Sequence, residues 1–372
     1  MQEKYDVIVI GGGPAGSSAA KTLSEAQIRV LIIDKEEFPR DKLCGGSLTP
    51  NSLRALKKVF PNINYISNKS NELNILKNEG NNFKPFAKYI WKKPIIHVVD
   101  RFNFDHCLLK EAIHSGAKFE KNKIEKIKQN KKNEFELISK NKVYLADFLI
   151  VACGVFGTSL FKDKELINPN YSIVYQTSSN NISKGNSLSF FKNGYFWKFD
   201  AGNYSKIVLG KYPPSIDNET AKKILSSYSP EETIASTLPV FNLKYTNEIN
   251  RSIPGCLFIG DSGGFANNWT GEGIPYAIDS GDFAARAILK YYDNPEKLNQ
   301  NFLERLFKMA QHLQLSESFR KVFYKDLNES LEMLREKSFS KLLLSFISNY
   351  HSRMLNLKFR SFLVSGLKIN QY

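Results

Sequence analysis

Gly11-Gly12-Gly13-Pro14-Ala15-Gly16 satisfies G-x-G-x-x-G, and its place between an apolar run and a helical pattern suits it to bind a pyrophosphate. Gly11 allows the tight turn, Gly13 lets the backbone approach phosphate oxygens, and Gly16 lets helix and strand pack closely. The helix that opens at Pro14 and Ala15 offers free N–H groups and the positive end of its dipole. Asp34 ends the next apolar run, roughly 20 residues on, where a carboxylate accepts hydrogen bonds from a ribose, and Lys35 follows it. These residues predict a dinucleotide site without separating one dinucleotide from another.

A second loop decides that point. Ile259-Gly260-Asp261-Ser262-Gly263-Gly264 follows an apolar strand, and Trp269-Thr270-Gly271-Glu272-Gly273-Ile274 leads into a helix. A strand-end Asp261 can bind a ribitol hydroxyl, and the helix start at Gly271, Gly273 and Ile274 can face a flavin ring and pyrophosphate. NAD has no ribitol, so a second such loop far along the chain favours FAD. Tyr195, Trp197 and Phe199 alternate with Phe196 and so share one face of a strand. That face suits either an apolar substrate slot or the core of a second sheet.

The elements that must position these groups are legible in outline. Tyr5 to Ile10 is an apolar, β-branched run ending at glycine, as a buried parallel strand does. Pro14 to Ala26 reads as helix and Arg29 to Ile33 as the next strand, completing a β-α-β unit. Helices are expected over Asn51–Phe60, over Phe102–Ser115 with Phe104, Cys107, Leu108 and Ile113 mostly inward, and from about Gly273. The stretch from Lys118 to Tyr144 predicts an antiparallel meander turning at Gln129-Asn130-Lys131. Phe148–Ala152 reads as a buried strand, and Tyr171–Leu209 as a second sheet. Beyond Pro295 the pattern is helical.

Composition narrows the class. A chain of 372 residues that is 42% apolar, with 27 Phe and 17 Tyr, folds around a large core. The start does not read as a signal peptide, and no stretch approaches the ~20 apolar residues that cross a bilayer. Cys44, Cys107, Cys153 and Cys256 form no C-x-x-C pair, and none of the five histidines has metal-site or triad company. A reducing, cytoplasmic setting without a structural metal is expected. The net charge of +15 fits a lysine-rich surface or attraction to an acidic partner. Nucleic acid is not expected, since no matching module or aromatic-basic strip is present.

The two glycine loops together resemble the flavoprotein superfamily of para-hydroxybenzoate hydroxylase, and within it the geranylgeranyl reductase family. Asp41-Lys42-Leu43-Cys44-Gly45-Gly46 resembles that family's Lys-Pro-Cys-Gly-Gly stretch. Arg101-Phe102-Asn103-Phe104-Asp105 resembles its Arg-x-x-Phe-Asp helix, and Gly194 to Asp200 its Tyr-x-Trp-x-Phe-Pro motif. Cys153, Asp200 and Asn268 stand where the family usually has an acid, a proline and a proline. The likeness spans positions from about 5 to 285. It implies FAD, an isoprenoid or lipid substrate, and NADPH or a ferredoxin as electron donor. It also places Cys44 beside the flavin ring as a proton donor, followed by Gly45 and Gly46, and Arg101 near the FAD phosphates. A surface ion pair with Asp105 is the other reading of Arg101.

The expected fold is α/β: a Rossmann-type FAD-binding domain, a second mixed or antiparallel β-sheet substrate domain, and a C-terminal helical region. The expected division is 1–60, 96–165 and 250–295 for FAD, 61–95 and 166–249 for substrate, and 296–372 for the helices. The expected function is reduction of isoprenoid carbon–carbon double bonds. A flavin monooxygenase or halogenase on the same fold and a non-catalytic flavoprotein are the alternatives. Phe339, Leu342, Leu343, Phe346, Ile347 and Tyr350 recur at helical spacing among basic residues, which suits packing on the protein or peripheral contact with an anionic membrane.

Overall fold

The computed structural model describes residues 3–335 except 80–81, 181–183, 214 and 230–231. The amphipathic segment beyond Glu336, with its expected membrane or core contact, lies outside the described residues. No helix among the described residues is long and apolar enough to cross a membrane.

The architecture is α/β, with two large sheets and a small one. In the first, the strands Lys118–Lys121, Val30–Asp34, Lys4–Ile10, Val143–Val151 and Cys256–Phe258 run parallel. The strands Ile124–Gln129 and Phe135–Ser139 add an antiparallel meander to one part of Val143–Val151. Val7 to Ile10 and Val30 to Ile33 are buried on both faces, which is why they read as continuous apolar runs rather than alternating ones. Lys118–Lys121 departs from the expected meander, pairing in parallel beside Val30–Asp34 as the sheet edge.

Helices Pro14–Glu25 and Ile274–Lys290 pack tightly on each other. Small residues make this possible: a side chain at Gly281 would overlap the Ala15 carbonyl, and one at Gly260 would press on the Ala15 methyl. Ser18 Oγ donates to the Ile278 carbonyl at 2.6 Å across the contact. The two helices therefore start from neighbouring points, and both glycine loops come to one place.

The helix Arg101–His114 buries Arg101, Phe104, Asp105, Leu108, Leu109 and Ala112. Ile113 is exposed, contrary to the expected face, because the turn that carries Ala112 inward carries its neighbour outward. The second sheet has seven strands, including Glu72–Glu79, Tyr171–Ser179, Asn186–Phe191, Gly194–Asp200 and Ser205–Lys211, and is antiparallel except where Asn186–Phe191 runs parallel to Glu72–Glu79. A three-stranded sheet joins Ser47–Leu48, Ile96–Val99 and Ser67–Ser70; Ile96–Val99 falls in the stretch Asn71–Val99, which reads as short β-like pieces, whereas the strand at Ser47–Leu48 has no signal in the sequence. The long helix Pro295–Lys325 closes on both large sheets: Phe302, Leu306 and Met309 join the parallel-sheet core, whereas Phe319 and Phe323 pack with Trp269 and Phe190.

Candidate functional site

A cavity of about 660 Å³ opens between the two large sheets. Every residue expected to touch cofactor or substrate lines it, apart from Gly16. A side chain at Gly16 would meet the Gly11 carbonyl, in keeping with the packing role read from its position in the motif. Gly11, at φ +107°, makes the turn that the strand-to-helix reversal requires. Gly12 N–H donates to Asp34 Oδ2 at 2.7 Å, and Glu36 N–H donates to Oδ1 at 3.0 Å. These bonds fix the carboxylate while leaving each oxygen a further lone pair. The Lys35 side chain reaches the cavity rim and is largely exposed.

The helix ends show what the cavity is built to hold. Of the eight α-helices among the described residues, six carry a side-chain N-cap, such as Thr49, Asp100 or Asn294. The two without one start at Pro14 and Ile274, and both open on this cavity. Their unpaired first-turn N–H groups need an acceptor, and phosphate oxygens are suited to supply it. Asp261 also faces the cavity, and its carboxylate takes no hydrogen bond or ion pair from the described residues. Arg40 stands beside Gly13 with its guanidinium 3.3 Å from Asp105. Two uncapped helix starts, a poised Asp34 and a free Asp261 match the pyrophosphate, ribose and ribitol of FAD.

Also in the cavity lining, the Cys44 Sγ accepts from Gly46 N–H at 3.4 Å and lies against Arg101. Arg101 is 5% exposed and makes a bidentate bond to Asp105 at 2.6 and 2.8 Å, so the ion pair with Asp105 is buried, not on the surface. Gly45 and Gly46 have packing reasons of their own. A side chain at Gly45 would run into the Phe199 ring, and Gly46 sits at φ +75° against the Val99 carbonyl.

Tyr195, Trp197 and Phe199 share the cavity face of their strand, whereas Phe196 turns to the other side and stacks on Phe83. Trp197 stacks on Phe199 at 5.1 Å between ring centroids, and its indole N–H donates to the Thr270 carbonyl at 3.1 Å. The Tyr195 ring is clamped between Gly210 and Gly271, either of which would collide with it on gaining a methyl group. The second sheet thus presses directly on the loop that starts the Ile274 helix. Val174, Val208 and Leu238 extend the apolar wall. Sequence reading missed these three, since their strand-mates gave no cavity signal.

Two further residues escaped the sequence reading. Glu272, between Gly271 and Gly273, lines the cavity and accepts from the Thr49 hydroxyl, with the Tyr276 hydroxyl 3.4 Å from its other oxygen. Burial pushes its carboxyl up to about 7, against the lowering influence of Thr49, Tyr276 and Arg54. Thr49 was not singled out in the sequence. The sole available signal was an acid inside a glycine-rich helix start, where the dipole ordinarily holds it ionised.

The three departures from the family pattern are accommodated. Asn268 Oδ1 accepts from Phe241 N–H at 2.7 Å and its amide donates to the Phe241 carbonyl and to Glu317. Asp200 accepts from Gly185 N–H and Gly202 N–H, each at 2.9 Å, and from the Asn68 amide. Cys153 opens on the cavity, yet the surrounding protein pushes its thiol up to about 12, so it remains uncharged. No cluster of metal-ligating side chains occurs among the described residues, and all four cysteines are unpaired.

Residues 5–154 match the pyridine nucleotide-disulphide oxidoreductase family. An uncharacterized protein of Methanosarcina barkeri is 31% identical over 303 residues, covering 77% of this chain and 75% of the relative. The digeranylgeranylglycerophospholipid reductase of Sulfolobus acidocaldarius is 27% identical over 339 residues, covering 78% and 70%. The chain belongs to the geranylgeranyl reductase-like family of FAD-dependent oxidoreductases. FAD is its cofactor. Among solved structures, a geranylgeranyl bacteriochlorophyll reductase-like protein from Thermoplasma acidophilum superposes with a TM-score of 0.77 at 20% identity, covering 99% of both chains. The flavin-dependent brominase Bmp2 superposes at 0.71 with 15% identity over 99% of this chain and 100% of its own. These likenesses establish the fold and leave the substrate to the site itself.

Proposed function

We propose that this flavoprotein reduces carbon–carbon double bonds in an isoprenoid chain. The observation that carries the reading is the shared cavity. Cys44 opens on the same space as the glycine loops and as an apolar wall of Tyr195, Trp197, Phe199, Val174, Val208 and Leu238. Polyprenyl chains carry no charge and few polar atoms, so an aromatic and aliphatic slot selects them by burial. The relatives named as reductases of geranylgeranyl lipids point the same way.

FAD, once reduced, supplies hydride. In this reading Gly11, Gly13, Pro14, Ala15 and the start of the Ile274 helix hold its phosphates, Asp34 and Lys35 its ribose end, and Gly260 and Asp261 its ribitol. Gly271, Gly273 and Ile274 then face the ring. Arg101 holds the Cys44 loop through its contact with the sulfur, and Asp105 keeps Arg101 oriented. Cys44 donates the proton that the second alkene carbon needs, its S–H bond breaking as the new C–H bond forms. Tyr195, Trp197 and Phe199 orient the chain and exclude water. Residues 1–60, 96–165 and 250–295 act in this scheme as the cofactor domain.

NADPH visiting the cavity or an acidic ferredoxin docking on the basic surface would supply the electrons. Incubation of the holoenzyme with each donor and a geranylgeranyl lipid, followed by mass spectrometry, tests the reading. Product heavier by two hydrogens per double bond supports it. Oxygenated or halogenated product would move the function to oxygen chemistry on the same fold.

A further inference from the structure

The loop that leads into the Ile274 helix has two sides. Thr270, Gly271, Glu272 and Gly273 line the cavity, whereas Asn267, Asn268 and Trp269 at its root are buried away from it. Asn267 closes the loop on itself. Its N–H donates to the Glu272 carbonyl at 2.8 Å, and its carbonyl accepts from Gly271 N–H at 2.9 Å. Its Oδ1 accepts from Trp269 N–H and Thr270 N–H at 2.9 and 3.1 Å. A loop closed in this way shifts as one piece, so whatever holds the two asparagines sets its position.

The helix Pro295–Lys325 holds both. The Ser316 hydroxyl donates to Asn267 Oδ1 at 2.5 Å, and the Asn268 amide donates to Glu317 Oε2 at 2.9 Å. Glu317 is gripped in turn by Arg320, whose Nε and Nη2 donate to its two oxygens at 2.8 and 2.9 Å. Burial works to raise the Glu317 carboxyl, but Arg320 and Asn268 hold it below its ordinary value, so it accepts as an ion. Asn268 also exchanges both its bonds with the Phe241 backbone, just past the strand Ile234–Pro239. A second contact bears on the loop from the cavity side. Arg320 lies 5.0 Å over the Tyr212 ring, and that ring is 6.3 Å from Tyr195, which presses on Gly271. Ser316, Glu317 and Arg320 do not line the cavity, so they reach a bound molecule only through these neighbours.

The loop ends in the uncapped helix start at Ile274. Two-electron reduction with uptake of one proton leaves a flavin ring with one more negative charge. Free N–H groups and a positive dipole end held beside the ring favour that charge, and the effect falls off within a turn. Displacing the loop therefore weakens the grip on reduced FAD more than the grip on oxidised FAD.

We propose that Ser316 and Glu317 are positioning residues for the flavin, acting through Asn267 and Asn268 to hold the Ile274 helix start against the reduced ring. The proposal rests on the reading above that Gly271, Gly273 and Ile274 face that ring. Asn268 does not fix its own backbone as a proline would, so the loop depends on these side-chain bonds.

The test is the midpoint potential of the bound flavin, measured in the FAD-loaded protein by reduction against a reference dye. The potential reads the ratio of affinities for reduced and oxidised FAD. Ser316→Ala is expected to lower that ratio about threefold and Glu317→Ala about tenfold, the latter a fall of about 30 mV for a two-electron couple. Glu317→Gln keeps an acceptor for Asn268 and is expected to restore most of the loss. An unchanged potential in Glu317→Ala would overturn the proposal. If Glu317→Ala does not fold, Ser316→Ala decides, because it removes one hydroxyl from the core. Gly273→Ala separates the underlying reading. Its methyl group would find no protein atom nearer than Asp261 Oδ1 at 3.8 Å, so it crowds only what the cavity holds. FAD affinity and potential unchanged in Gly273→Ala would sink the reading that this helix start faces the ring. A shift in Gly273→Ala with none in the Ser316 and Glu317 variants would sink the positioning role alone.

Discussion

Gly271→Ala is the substitution in which fold and cofactor site should fail together. Gly271 sits at φ +74°, where a side chain costs about 1–2 kcal/mol. Its new methyl group would also lie 2.1 Å from the Tyr195 hydroxyl oxygen. The Tyr195 ring cannot step aside, because Gly210 presses on it from the neighbouring strand and it is 2% exposed. Overpacking of that kind costs about 1–3 kcal/mol. The sum, about 2–5 kcal/mol, corresponds to roughly thirtyfold to a few thousandfold in FAD affinity if the loop carries it all. Fluorescence titration of FAD into apoprotein, alongside thermal unfolding, measures how the cost divides. Adding Tyr195→Ala should recover the steric share and leave the backbone share, which a double-mutant cycle isolates. Wild-type affinity and melting temperature in Gly271→Ala would refute the clamped contact between the second sheet and the flavin loop.

Other outcomes follow from the same geometry. Cys44→Ala should slow substrate-dependent flavin reoxidation about a hundredfold while leaving bound FAD unchanged, measured by stopped flow and absorbance. Asp261→Ala should lower FAD content on purification without lowering the melting temperature of the apoprotein, since no described residue leans on that carboxylate. Arg54→Met removes the guanidinium partner of the wholly buried Asp279 and should cost about 3 kcal/mol in denaturant unfolding. Glu272 gives a pH signature with a definite sign. Its folded pKa is raised, so between the ordinary carboxylate range and about 7 the folded state binds more protons than the unfolded one. Its contribution is therefore full at acid pH and is lost as pH rises toward 7, and Glu272→Gln should flatten that part of the stability profile.

Much of the cofactor half of the cavity was legible in the sequence because its signals are local. A strand, a glycine turn and a helix start are adjacent in the chain, and Asp34 follows by the length of one β-α unit. The loops at Gly260 and Gly271 repeat that logic. What the sequence did not show depends on distant pairing. Ser47–Leu48 is a strand only because Ile96–Val99 pairs with it, and two residues carry no periodicity. Arg101 reads either as a phosphate contact or as part of a surface ion pair until its helix is seen to bury Asp105 beside it. Glu272 looks like a dipole-stabilised carboxylate until Arg54 is found paired with Asp279. The apolar wall from Val174 and Val208 lies on strands whose cavity face is set by the neighbouring Tyr195 and Trp197 rather than by any motif.

The central claim is that the thiol, the aromatic face and the flavin loops act on one alkene. Anaerobic reduction of the holoenzyme, followed by mixing with a geranylgeranyl lipid, tests it most directly through the return of oxidised-flavin absorbance. The account expects reoxidation without oxygen, in step with formation of a saturated bond, and strong slowing in Cys44→Ala. Reoxidation only when oxygen is admitted, with the lipid recovered intact, would contradict it.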